Sequence, residues 1–357
     1  MSQRPYTVLL LVPTGIGAAI GGYAGDALPV ARAVAQVADC LITHPNVLNG
    51  AQLYWPLSNA LYVEGYGLDQ FAAGCWDLQP VRQNQVGMVL DQGIEPELRV
   101  RQLQAADAVR ATLGLHLTDY VVTDAPLGVE LRTARSGATW GTIQRPDSLL
   151  RAVEKVITQC KAEAVAVVVR FPDDTDSDLL QHYRQGQGVD PLAGAEAVIS
   201  HLVVRTFHIP CAHAPALLPL PLEPHLSPRS AAEELGYTFL PCVLVGLSRT
   251  PQFVVRSEPQ SGVAPRSHLI TAEDVDAVIV PETACGGSAL LSLSQSQSTI
   301  IAVGDNRTRM QVSPEMLGIR AVRVNSYLEA LGVLVADRAG ISLDALTASI
   351  STLRQQL

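Results

Sequence analysis

What most restricts this chain is the repeated succession of an apolar run of strand length, a short turn and a segment of helical period. A strand that feeds a helix running back along the same sheet builds parallel strands covered on both faces, so the pattern specifies an α/β protein. The expected fold is doubly wound, with largely parallel sheets flanked by helices in two lobes. Strands are predicted at Val8–Val12, Cys40–Thr43, Leu61–Glu64, Val86–Leu90, Tyr120–Thr123 and Val165–Arg170. Helices are predicted at Leu28–Ala38, Pro96–Leu113, Asp147–Cys160 and Leu192–Val203. The C-terminal third repeats the unit three times, on strands Ala277–Val280, Thr299–Val303 and Arg320–Val324, with a helix at Ser326–Arg338 and another from Leu343. The stretch His208–Arg229, dense in proline and histidine, reads as a long ordered loop or crossing. A boundary near residue 205 divides an N-terminal unit, 1–205, from a C-terminal unit, 206–357.

Composition narrows the chemistry. Nearly half of the 357 residues are apolar and only 17% are charged, which suits a compact fold or an oligomer with large covered faces. A net charge of −9 disfavours nucleic acid or an anionic membrane as partner. No apolar run nears the roughly 20 residues of a membrane span, so no membrane insertion is expected. The first strand begins within a few residues of Met1 with no signal peptide in view, and six cysteines show no CxxC pair, so the expected compartment is the cytoplasm. Only Lys155 and Lys161 are lysines, both on a surface-patterned helix, which argues against a lysine Schiff base; a Walker-type GK[ST] loop is absent. Basic work falls to arginine.

In open α/β sheets ligands sit beyond the carboxyl ends of the strands, so the residues that follow each strand are the candidates. The first strand leads into a loop holding Thr14, Gly15, Gly17, Gly21 and Gly22. Such glycines either bring backbone N–H groups close to a bound anion or simply shape a turn. Ile20 breaks the GxGxxG spacing and His44, not an acid, ends the second strand, so no nicotinamide, flavin or other cofactor is expected. A second cradle is Gly286-Gly287-Ser288 after Glu282, where a helix start favours a negative ligand and would stabilise a Cys285 thiolate. Asp305, Asn306 and Arg307 follow the next strand, with Arg307 as a clamp for a carboxylate or phosphate. His44, His213, Cys285 and Asp305 are the candidate catalytic groups, and Asn46 joins the binding set. Glu64, Asp91, Asp124 and Asn325 are further polar residues at strand ends. His208, Cys211 and His213 match no standard zinc spacing, so no metal is assigned. Six of the seventeen aromatics fall within Tyr54–Trp76, as a ligand wall, a subunit contact or a local core.

Several strings together, Pro13–Asp26, Thr43–Gly50, Cys211–Ala216 and Cys285–Leu291, resemble a mainly cyanobacterial family classed as a domain of unknown function. The resemblance spans essentially the whole chain and implies one functional unit, but brings no activity with it. The function expected from the residues is an enzyme acting on a small anionic metabolite held between the two glycine cradles. The alternative is a non-catalytic homo-oligomeric ligand-binding or scaffold protein.

Overall fold

The computed structural model describes residues 4–52, 55–173, 178–234, 239–256, 268–350 and 352–353. Its strands are β1 (Thr7–Leu10), β2 (Cys40–Thr43), β3 (Ala60–Tyr62), β4 (Trp76–Gln79), β5 (Val86–Leu90), β6 (Leu117–Val122) and β7 (Val129–Thr133). These are followed by β8 (Thr139–Ile143), β9 (Ala164–Arg170), β10 (Cys211–Ala216), β11 (Gln252–Val255), β12 (Val275–Pro281), β13 (Thr299–Val303) and β14 (Val322–Val324). The helices are α1 (Leu28–Val37), α2 (Pro45–Gln52), α3 (Gly65–Ala72), α4 (Pro96–Leu113), α5 (Pro146–Thr158) and α6 (Asp178–Arg184). The rest are α7 (Ala193–Phe207), α8 (Pro228–Glu234), α9 (Phe239–Arg249), α10 (Ser288–Leu293) and α11 (Tyr327–Arg338).

The protein is mixed α/β, with two parallel sheets flanked by helices. The first sheet has the order β14-β13-β12-β1-β2-β3. From β1 the chain winds outward through β2 and β3, then returns on the other side of β1 and winds outward again from β12. The reversal between β1 and β12 is a topological switch point, where the loops after neighbouring strands diverge and leave a crevice. The second sheet has the order β10-β9-β5-β6 and reverses between β5 and β9. All of its strands lie between β3 and β12 in sequence, so it is inserted into the first. The two crossings between the sheets pair as an antiparallel ribbon, β4 with β11, from Trp76↔Val255 to Gln79↔Gln252.

Local signals account for many element ends. Pro96 and Pro146 open α4 and α5, where a missing N–H costs nothing, and Gly114 ends α4 at φ +66°. Strands β1, β5 and β9 are buried along nearly their whole length, which explains their unbroken apolar runs. The core does not divide between the sheets. Val8 and Leu10 share one apolar cluster with Met88 and Val168, and Leu9 and Val278 share another with Val89 and Val167.

Several expectations need correction. A boundary at 205 falls between β9 and β10, which pair over six residues from Val165↔Cys211 to Arg170↔Ala216. The supposed loop after His208 therefore opens with a strand. Its sequence, Cys-Ala-His-Ala-Pro-Ala, lacks the β-branched residues that announce a strand, and it forms because β9 offers it an edge. The helix expected from Leu343 is a single 3₁₀ turn, Leu343–Leu346. Tyr54 lies outside the described residues; Tyr62, Phe71 and Trp76 of the same aromatic run are buried core, whereas Trp55 is half exposed under Arg32. Among the described residues no helix is long and apolar enough to cross a membrane.

Candidate functional site

A cleft of about 390 Å³ lies at the switch point of the first sheet, a volume in the usual range for small-molecule sites. One wall is built from the ends of β1, β2, β3 and β12, through Pro13, Thr14, His44, Glu64 and Val280. The other wall belongs to the inserted unit, through α7 and β10. Helix α3 packs against both α7 and α10 and so joins the walls.

Glu64 follows β3 and caps α3. One carboxylate oxygen accepts from the N–H groups of Tyr66 (2.8 Å) and Gly67 (3.2 Å), donors that a helix start leaves without partners. Its other oxygen meets Nδ1 of His201 on α7. Burial opposes charge on the His201 ring, but the Glu64 contact and the more distant Asp69 outweigh it and raise the imidazole above its ordinary value. Gly65 makes this contact feasible, because a β-carbon there would stand 2.9 Å from Cε1 of His201. Asp69, one turn along α3, accepts from Ala289 N–H at 3.0 Å at the start of α10. Burial, partly offset by that bond, raises its carboxyl.

The second imidazole is His213, on the face of β10 that meets α7. Its Nε2 lies 3.6 Å from Glu196 and its Nδ1 3.3 Å from the Ser200 hydroxyl. Glu196 and Ser200 are four residues apart and therefore share one helix face. His44 differs from both. Its Nε2 accepts from the Val12 N–H at 3.0 Å, and burial lowers its pKa to about 4, so the ring stays neutral. Below the cluster the Tyr62 hydroxyl is buried with no hydrogen-bond partner among the described residues. Burial first, then Cys242, Cys211, Glu64 and Glu196 nearby, push that phenol well above its ordinary range.

Of the residues singled out by sequence, Thr14, His44, Asn46, Glu64, His213, Gly286, Gly287 and Ser288 line the cleft. The others do not. Cys285 is buried, its thiol directed at the Pro281 and Glu282 carbonyls, and burial lifts its pKa to about 11, so no thiolate forms at that turn. Glu282 pairs with Arg323. Asp305 is exposed and lies outside the cleft. Asn306 is completely buried, and its amide accepts from Ile20 N–H (2.9 Å) and donates to Ile20 C=O (2.8 Å) and to Tyr327 (2.7 Å). It clamps the glycine loop and has nothing left for a ligand. The loop glycines serve the loop itself. Gly21, at φ +88°, gives its N–H to Asp26, and a β-carbon on Gly22 would sit 2.2 Å from the Ala18 carbonyl. Gly15 packs against Thr139 and Ala193. Gly17 and Arg307 line a separate depression of about 400 Å³ with Arg229 and Arg309.

Asp69, Glu196, Ser200 and His201 escaped the sequence reading. They lie within helices rather than after strands, and only the packing of the inserted unit turns them toward the cleft. The i, i+4 spacing of Glu196 and Ser200 was the one available signal. Among the described residues no group of three His, Cys, Asp or Glu side chains is placed to hold a metal ion.

Residues 7–347 match the family described as Protein of unknown function (DUF3326). The chain is also 59% identical, over 97% of its own length and 95% of the relative's, to a protein of Synechococcus sp. (strain ATCC 27144 / PCC 6301 / SAUG 1402/1) named as an uncharacterized lipoprotein. No solved structure matches it.

Proposed function

The chain belongs to the DUF3326 family, and for this member we propose an enzyme that performs general acid–base catalysis on a small polar molecule bound in the switch-point cleft. The observation that carries this reading is the presence of two imidazoles, each paired with a carboxylate, facing one cavity. His201, whose basicity the Glu64 contact raises, is the proton donor. His213, oriented by Glu196, is the acceptor. With Nε2–H toward Glu196, His213 takes a proton from the substrate on Nδ1, beside the Ser200 hydroxyl, and His201 gives one back, as in an isomerisation, an elimination or a hydration. Neutral His44 and the backbone near Thr14 and Gly286 orient the substrate.

The cleft is lined by four carboxylates, Glu64, Asp69, Asp190 and Glu196, against three imidazoles of which His44 is neutral. That balance suits a neutral or cationic group better than the anion expected from sequence. In this reading an anion belongs to the depression of Arg229, Arg307 and Arg309. Six free cysteines suit the cytoplasm as compartment. The word lipoprotein in the relative's name points instead to an envelope location, and fractionation of cells followed by immunoblotting decides between them. A homo-oligomer is also part of the proposal, through the apolar residues that α11 leaves exposed.

The test begins with mass spectrometry of small molecules released when protein purified from its native host is denatured, each then offered back as substrate. Turnover with a bell-shaped pH dependence, lowered at least about a hundredfold in Glu196→Gln and in His201→Gln, is the expected result. Turnover unaffected by both substitutions overturns the assignment.

A further inference from the structure

Beside the polar cleft lies a second cavity of about 150 Å³ between α4, α6, β10 and α9. Its walls are mainly apolar, with Leu98, Ala105, Leu180, Leu192, Leu217 and Leu240 among them. Phe239 and Asp190 line both cavities, so the two adjoin there. A mainly apolar cavity of this size, here also bordered by Arg101, Gln102 and Ser230, has room for a group about as large as benzene. The leucine–proline segment after β10 forms one side through Leu217, Leu218 and Leu220, with Leu218 half exposed, and runs on to Leu222, which is 92% exposed.

Protein interiors are close-packed and leave few voids larger than a water molecule, so a mainly apolar cavity adjoining the polar cleft is a candidate binding volume. We infer that the substrate is an amphiphile, with a neutral or cationic head in the acidic cleft and an unbranched apolar tail of about six carbons in the adjoining chamber. The inference rests on the acid–base reading for the position of the head, whereas the tail site stands on the chamber's own lining. Phe239 and Asp190, at the junction, are where head and tail meet. A longer chain would emerge past Leu218 toward the exposed Leu222.

The probes are the n-alkylammonium ions from propyl to octyl and the matching n-alkyl carboxylates, titrated calorimetrically into the full-length protein. Each added CH₂ that enters an apolar site contributes about 0.8 kcal/mol, a gain of roughly fourfold in affinity. Affinity is therefore expected to climb by about this factor per carbon up to about six carbons and then level off, with ammonium ions bound more tightly than carboxylates. Ala105→Phe, and separately Leu218→Phe on the other side of the chamber, should abolish the gain with length while leaving propylammonium affinity unchanged. Glu196→Gln should weaken every ammonium ion by the same factor and keep the gain. A series that is flat in the wild type, or a gain that survives both filled variants, overturns the tail site and leaves the acid–base reading standing. A gain that disappears in the filled variants while Glu196→Gln matches the wild type at every length removes the head from the cleft and overturns the acid–base reading with it.

Discussion

Replacing Asn306 by alanine separates two roles that the sequence assigns with equal ease, a ligand contact and a structural clamp. The structure places this amide in the interior, with three hydrogen bonds that tie Ile20 in the glycine loop to Tyr327 at the start of α11. Truncation leaves a backbone N–H, a backbone carbonyl and a phenol without those partners. A lost hydrogen bond costs about 1 kcal/mol on average, and more when the abandoned group stays dry. Ile20 and Tyr327 are only partly buried, so water replaces some of what is lost. The expected destabilisation is about 2–4 kcal/mol. At about 2 °C per kcal/mol for a large domain, the melting temperature falls by roughly 4–8 °C. Urea unfolding followed by circular dichroism measures this directly. Arg307→Ala, one residue on, is exposed and should leave the melting temperature within about 1 °C of wild type. An Asn306→Ala protein as stable as wild type would refute the clamp and return this residue to the binding site.

Three further outcomes follow from the same geometry. Gly65→Ala places a β-carbon 2.9 Å from His201, so the ring must leave Glu64; its pKa, followed by NMR titration, should drop from its raised value while helix content is kept. His44 has its pKa lowered to about 4 from an ordinary 6.5, so on acidification the unfolded chain takes up this proton before the folded one. Stability unaffected above about pH 6.5 should therefore decline toward pH 4 by about 3 kcal/mol from this group, and His44→Gln should lose that part of the slope in urea unfolding at stepped pH. Leu328 (80% exposed) and Val335 (56% exposed) are seven residues apart on one face of α11, so light scattering of the wild type should report a multiple of 38.0 kDa, and Leu328→Glu with Val335→Glu should bring it to the single-chain mass.

The α/β class, most strands and the longer helices were legible in the sequence because they rest on short-range facts. Apolar period marks a buried strand or a helix face, proline opens α4 and α5, and glycine closes α4. The rule that ligands gather at strand ends also led to Thr14, His44 and Gly286, which line the cleft. It gave equal standing to Cys285, Asp305 and Asn306, because a residue after a strand has the same local signature whether it faces the cleft, solvent or the loop behind it. Tertiary structure alone made those distinctions. It set β12 beside β1 across more than 260 intervening residues, which creates the switch point. It also gave β10 an edge to pair with, despite a sequence poor in strand formers. Glu64 and His201 come from different sheets' units, and no period or spacing relates them; their pairing depends on α7 docking over α3. Local propensity acts over a few residues, whereas the cleft is a contact between segments far apart in the chain, and only the packing of the inserted unit against the first sheet determines which side chains meet there.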